Sequence, residues 1–171
     1  LDKAVMYAAN LLARNALFGK KIVQESPYQQ GCRNVSSHII QILKEKGFKS
    51  AVIAAVPGSE ENAAVIANLA DLAAAKNSGI LLIDAGMNNA ASLHKIFKLS
   101  ASPGLTEALS GNAPLDNAVR KIHPDLSLLT AGGRAVDAGE LIDSPHMSEI
   151  IKNAEKKFDF VLVYFPDLKK L

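Results

Sequence analysis

The chain of 171 residues has no tryptophan, a single cysteine and only 5% aromatic residues. Cys32 alone can form no internal disulfide, and the Cys and His residues show no zinc-like spacing. The expected setting is therefore reducing, with Cys32 acting as a small apolar side chain. Charge of one sign is also lacking: 19 basic against 17 acidic side chains leave a net +2, with no concentrated basic stripe of the kind a nucleic-acid partner needs. No apolar run reaches the ~18 residues of a membrane span, and the first residues lack the basic-then-apolar pattern of a signal peptide. These absences predict a cytoplasmic chain that binds no nucleic acid and does not itself span a membrane. Its 49% apolar content is enough to give one domain a substantial core.

Periodicity divides the chain into residues 1–25, a helix and connector, and a single α/β domain over 26–171. In the first segment Val5, Ala8, Leu12 and Ala16 share a helical face. The connector runs to Gly31 and contains Ser26-Pro27. A second helix is predicted from about Arg33 to Lys46, with Val35, Ile39, Ile40 and Leu43 turned inward and Gly47 as its stop. Four short apolar strands follow, at 50–56, 80–84, 126–130 and 159–165. An alanine-rich helix from about Glu60 to Ala75 separates the first two. Short helices at 92–97, 105–109 and 114–118 precede the third, and a helix opened by Ser144-Pro145 precedes the fourth. Apolar strands alternating with helices predict a parallel β-sheet flanked by helices on both faces. Ligands of such sheets sit at the carboxyl ends of the strands, where the 56–62 and 84–91 loops meet.

The first of those loops carries the most information. Residues 51–70, A-V-I-A-A-V-P-G-S-E-E-N-A-A-V-I-A-N-L-A, read as strand, turn and helix start, the frame of a phosphate-binding loop. A working loop ends G-K-[ST], with the lysine on the β/γ-phosphates and the hydroxyl on Mg²⁺. Here Glu61, Asn62 and Ala63 stand in that stretch, and no lysine or arginine occurs between Lys49 and Lys76. Backbone N–H groups at the helix start still favour an anion. Against that, Glu60 and Glu61 place two carboxylates where a triphosphate would enter. A like-charge pair at ~4 Å costs about 1 kcal/mol in water and about 4 kcal/mol at an effective dielectric near 20. Ser59 as N-cap and acidic residues in the first turn suit the helix by themselves, at about 0.3–1 kcal/mol each for the dipole. The expectation is a loop that caps its own helix.

The order of segments resembles the cytoplasmic P-loop domain of bacterial tyrosine kinases and related chain-length regulators of capsular and exopolysaccharide export, a branch of the MinD/ParA-like ATPases. The resemblance covers roughly residues 26–167 and rests on five ordered blocks: I-L-L-I-D-A-G-M-N-N-A-A-S-L-H-K-I-F-K-L (80–99), P-G-L-T-E-A-L-S-G (103–111), L-S-L-L-T-A-G (126–132), G-E-L-I-D-S-P-H-M (139–147) and F-D-F-V-L-V-Y-F-P (158–166). It implies a P-loop NTPase-like fold that continues for two further strands in its relatives. Carried across, the nucleotide site falls on Pro57, Gly58, Ser59, Glu60, Glu61, Asn62, Ala63 and Asp84. Asn62 stands at the lysine and Ala63 at the magnesium-binding hydroxyl. In the second motif, usually D-A-D-x-R, Asp84 remains, Gly86 replaces the second aspartate and Asn88 the arginine. In the third, usually D-T-P-P, Tyr164 replaces the aspartate and only Pro166 is kept. Of the family's E-x-x-R-x-x-R interface motif, Gln30, Arg33 and Ser36 occupy the three positions; Arg33 reads either as an interface residue, which leaves self-association open, or as a solvated helix charge.

The resemblance therefore implies a pseudokinase-like vestigial site with no catalytic residue and no bound cofactor. Asp84 is the sole weak candidate for a metal, and a strand-end aspartate that caps a neighbouring loop is the plainer reading. Function is expected to lie in protein contacts with a polysaccharide chain-length regulator or a kinase-like protein at the inner membrane. The alternative is an active ATP- and magnesium-dependent tyrosine autokinase whose cation comes from Lys76, Lys95 or another subunit. A partition or septum-site switch ranks last. His38, His94, His123 and His146 show no metal spacing or nucleophile partner and are expected in packing or surface roles.

Overall fold

A computed structural model describes residues 27–55, 61–75, 79–88 and 93–166. Helix α1 (Pro27–Lys46) starts earlier than periodicity predicts, because Pro27 occupies the first turn, where its missing N–H costs nothing. It stops at Gly47, whose φ of +70° favours glycine. The remaining elements are β1 (Ser50–Ala54), α2 (Glu61–Ala74), β2 (Ile80–Asp84), α3 (Leu93–Ile96), α4 (Leu105–Leu109), α5 (Leu115–Ala118), β3 (Val119–His123), β4 (Leu126–Leu129), α6 (Ala138–Asp143), α7 (Pro145–Ala154) and β5 (Phe160–Phe165). The expected helix over residues 1–18 lies outside the described residues.

The strands form one sheet in the order β1-β5-β2-β4-β3. The four expected strands pair in parallel, and β3 adds an antiparallel edge through a hairpin with β4. The sheet is thus mixed at that edge. Val-Arg-Lys-Ile-His carries too few apolar residues to read as a strand by pattern, and its charges suit an edge, where they discourage further pairing. His123 ties the hairpin to the helix layer: its Nδ1 accepts the Asp125 N–H at 3.3 Å and its Nε2 lies 3.2 Å from Asp71 on α2.

Alternate residues of each central strand face two separate cores. On one side Ile80, Leu82, Leu128, Leu162 and Tyr164 pack under α1, α2 and α3. On the other, Leu81, Ile83, Leu129, Val161 and Val163 pack under α4 to α7. Within α1, Ile40 and Leu43 face inward as expected, but Val35 is 50% exposed. Ser36 takes the buried place instead, its hydroxyl donating to the Leu69 carbonyl of α2. Cys32 is buried among apolar side chains. At α7, Pro145 holds the first turn, but Ser144 does not cap with its side chain; its Oγ donates back to Leu141 O at 2.6 Å.

Candidate functional site

Insertion of β5 between β1 and β2 brings three carboxyl ends side by side. The Ala55 N–H donates to Phe165 O and the Ala85 N–H to Tyr164 O, both at 2.9 Å, so the chain leaves β1, β5 and β2 toward one crevice. The strand pattern expected the 56–62 and 84–91 loops to meet at these ends; residues 56–60 and 89–91 of those loops lie outside the described residues. Pro57, Gly58, Ser59 and Glu60, as well as the side chain of Glu61, fall outside the description. Glu61 opens α2, Asn62 is half-buried on its first turn, and Ala63 is buried against the sheet. Arg33 is half-buried in the first half of α1. Lys95 is exposed on α3, and Lys76 lies outside the described residues.

Asp84 ends β2 on the α1/α2 side of the sheet and is completely buried. Its Oδ1 accepts the Gly86 N–H at 3.0 Å, a local turn of the kind aspartates make two residues on. Its Oδ2 accepts the Leu93 N–H at 2.8 Å, at the start of α3. Both oxygens thus hold the ends of the loop that follows β2, the capping role expected of a strand-end aspartate. Burial pushes the carboxyl up to about 6, against the two N–H groups that favour its ionised form.

Tyr164 pairs in register with Asp84 and is itself 1% exposed. Burial first and the Asp84 charge second push its phenol up to about 12, so it stays neutral beside the carboxyl. Gly86 is enclosed from both sides. A Cβ there would stand 2.8 Å from Pro166 Cγ and 2.9 Å from Asp84 Oδ1, closer than real Cβ atoms come. Position 86 therefore has no room for the second aspartate that the motif usually carries. Sequence comparison marks Gly86 as a replacement, but the Pro166 contact that encloses it joins segments 80 residues apart and has no local signal.

A second carboxylate, absent from the sequence reading, organises the neighbouring loop. Glu107 on α4 accepts the Gly104 N–H at 2.7 Å, the Ser102 hydroxyl at 2.8 Å and the Gly133 N–H at 3.0 Å. Burial raises its pKa, but these donors outweigh that and hold it below the usual value. The single Thr106 hydroxyl proton has two carbonyl acceptors in reach, Ala131 O and Gly133 O. The glutamate three residues after Gly104 in P-G-L-T-E was the available signal, since that spacing lets a first-turn glutamate reach back to the helix start. Among the described residues no three His, Cys, Asp or Glu side chains converge to hold a metal, and no helix is long and apolar enough to cross a membrane.

No family model matches the chain. Individual relatives do. "Tyrosine-protein kinase ptk" of Acinetobacter johnsonii is 34% identical over 100 residues, covering 58% of this chain and 14% of its own. "Succinoglycan biosynthesis transport protein ExoP" of Rhizobium meliloti is 30% identical over 150 residues, covering 84% of this chain and 19% of its own. The chain thus spans less than a fifth of either relative. Among solved structures, the BceF tyrosine kinase domain superposes with a TM-score of 0.72 at 28% identity, over 82% of this chain and 56% of that one. The septum site-determining protein MinD of Pyrococcus horikoshii shares the fold alone, with a TM-score of 0.55 at 22% identity over 69% of this chain and 49% of its own. By sequence and by fold, the chain is similar to the bacterial tyrosine-protein kinase family, and it shares its fold alone with MinD.

Proposed function

We propose that this protein is a catalytically degenerate member of that family, acting as a scaffold or regulator through protein contacts in capsular or exopolysaccharide biosynthesis or export. The observation that carries this reading is the engagement of Asp84. The one motif carboxylate retained has both oxygens on backbone N–H groups and is completely buried, with Tyr164 beside it in register. Mg²⁺ takes a near-octahedral shell built from one or two carboxylates, waters and substrate phosphates. The described residues do not fit that demand: Asp84 is occupied, Gly86 has no room for a carboxylate, and Tyr164 presents a neutral phenol. No reaction step is therefore assigned to the site.

The relatives supply the context, since one of them is named for succinoglycan biosynthesis transport. The partner in this reading is a chain-length regulator or an active kinase at the inner membrane, which would hold the chain there peripherally. Arg33, on α1, is the first residue to examine for self-association. Thermal unfolding with and without millimolar Mg-ATP tests the central point. The midpoint is expected to stay unchanged, whereas micromolar ATP binding by calorimetry, or phosphotyrosine formed by the chain and abolished by Asp84→Asn, would overturn the reading.

A further inference from the structure

The end of the sheet opposite the Asp84 crevice holds a depression of about 440 Å³ that no part of the reading above uses. It lies where α1 turns at Gly47 into β1 and where β5 begins. Phe48, Phe160, Lys44 and Lys49 are among the residues that line it, and Phe160 is buried. Phe48 is 61% exposed, a large apolar side chain held in water. The Lys44 ammonium sits 5.9 Å from the centroid of the Phe160 ring, and Lys49 donates to the Glu155 carbonyl at 3.0 Å. Neither forms an ion pair with a described carboxylate. Asp159, the acidic residue of the lining, has its Oδ2 on the Gly79 N–H at 2.8 Å.

The plain account of the lysines is that cations suit the carbonyl end of α1, which also carries Lys46. That account leaves the exposed ring and the concavity without a role. Volumes of roughly 300–1,000 Å³ with mostly apolar walls and a few charged groups suit small ligands or single side chains. Two ammonium groups match a doubly charged anion better than a carboxylate, and the exposed Phe48 ring matches an aryl group. We propose that this depression binds a phosphotyrosine side chain carried on an extended segment of a partner protein. The phosphate would lie between Lys44 and Lys49 and the ring against Phe48. The choice of phosphotyrosine rests on the scaffold reading, in which the chain works beside active tyrosine kinases; the aryl-phosphate chemistry rests on the pocket alone.

Amide-shift titration of the full chain with acetyl-Ala-phosphotyrosine-Ala-amide tests it. Saturable shifts are expected at residues 47–49 and 160, with the phosphoserine counterpart and inorganic phosphate binding roughly tenfold more weakly or worse. Lys44→Gln, Lys49→Gln and Phe48→Ser are each expected to weaken the phosphotyrosine probe by roughly tenfold, the scale of one charge-assisted hydrogen bond. All three positions are exposed, so the thermal midpoint should hold and confirm folding. Equal binding of the three phosphates, shifts centred on residues 84–88, or attachment to vesicles containing about 30% phosphatidylglycerol without phosphopeptide binding would each overturn the proposal. Because the pocket and the Asp84 crevice occupy opposite ends of the sheet, autokinase activity would sink the scaffold reading and leave the titration intact. A failed titration alongside successful capture of a chain-length regulator would sink only the pocket.

Discussion

Two carboxylates in this protein titrate in opposite directions, and the difference shows what each does. Asp84 has a raised pKa, about 6 in the fold against 3.8 as the ordinary value, so the native state holds the proton more tightly than the unfolded chain. Its contribution to stability is largest below about pH 4, falls as pH rises to about 6, and is flat above. The span corresponds to about 3 kcal/mol. Urea unfolding of wild type and Asp84→Asn across pH 4 to 7.5 should show the difference between them shrinking by about that amount as pH rises; parallel curves would refute the burial argument. Gly86 makes the companion prediction. Gly86→Ala forces Pro166 or the Asp84 carboxylate to move and should cost about 1–3 kcal/mol, with Gly86→Asp worse. Restoring the motif's second aspartate by a single substitution is therefore expected to destabilise the protein and to leave ATP turnover undetectable.

At the scale of elements, Glu107 and its donors join α4 to the loop after β4. Its pKa is held below the ordinary value, so its stabilisation is full above about pH 4.5 and is lost as pH falls through the lowered folded value. That slope is opposite in sign to the one from Asp84. Glu107→Gln keeps the shape but sets an amide N–H₂ against donors, and should cost about 2 kcal/mol, with amide exchange rising first at Gly104 and Gly133. Uniform exchange changes across the sheet would argue against a local clamp. Elements also show where pattern reading succeeds. The runs expected at 80–84 and 159–165 hold fully buried strands at Ile80–Asp84 and Phe160–Phe165, with the exposed Asp159 left outside, because each is largely apolar on both faces, as a doubly covered sheet requires. Val119–His123 escaped notice because an edge strand needs apolar residues on one side only. Val35 was misassigned because the buried face of α1 runs through the small residues Cys32 and Ser36, which carry little hydrophobic signal.

Across the whole molecule, coverage is uneven. The inner strands are buried from both sides, whereas β1 is an outer strand with Val52 62% exposed. Ser50–Ala54 contains no charge and no proline, the usual devices that keep an outer strand from pairing with another chain. Val52→Lys should therefore lower aggregation during refolding, read by light scattering, while leaving the thermal midpoint within about 0.5 kcal/mol of wild type. Unchanged scattering would place the aggregation-prone surface elsewhere.

The alternation of short apolar runs with helical periods was enough to determine the α/β class and most element positions, because strand and helix periodicities are written within a few residues of chain. The missing lysine and the Asp84-Ala85-Gly86 turn are likewise local facts of the sequence. Tertiary structure alone decided that β5 runs between β1 and β2, that Tyr164 stands beside Asp84 from 80 residues away, that Pro166 leaves no space beside Gly86, and that Phe48 and Phe160 share a depression with two lysines. The reason is physical: burial, register and steric room are properties of surfaces brought together from distant segments, and no window of sequence contains both sides of such a contact.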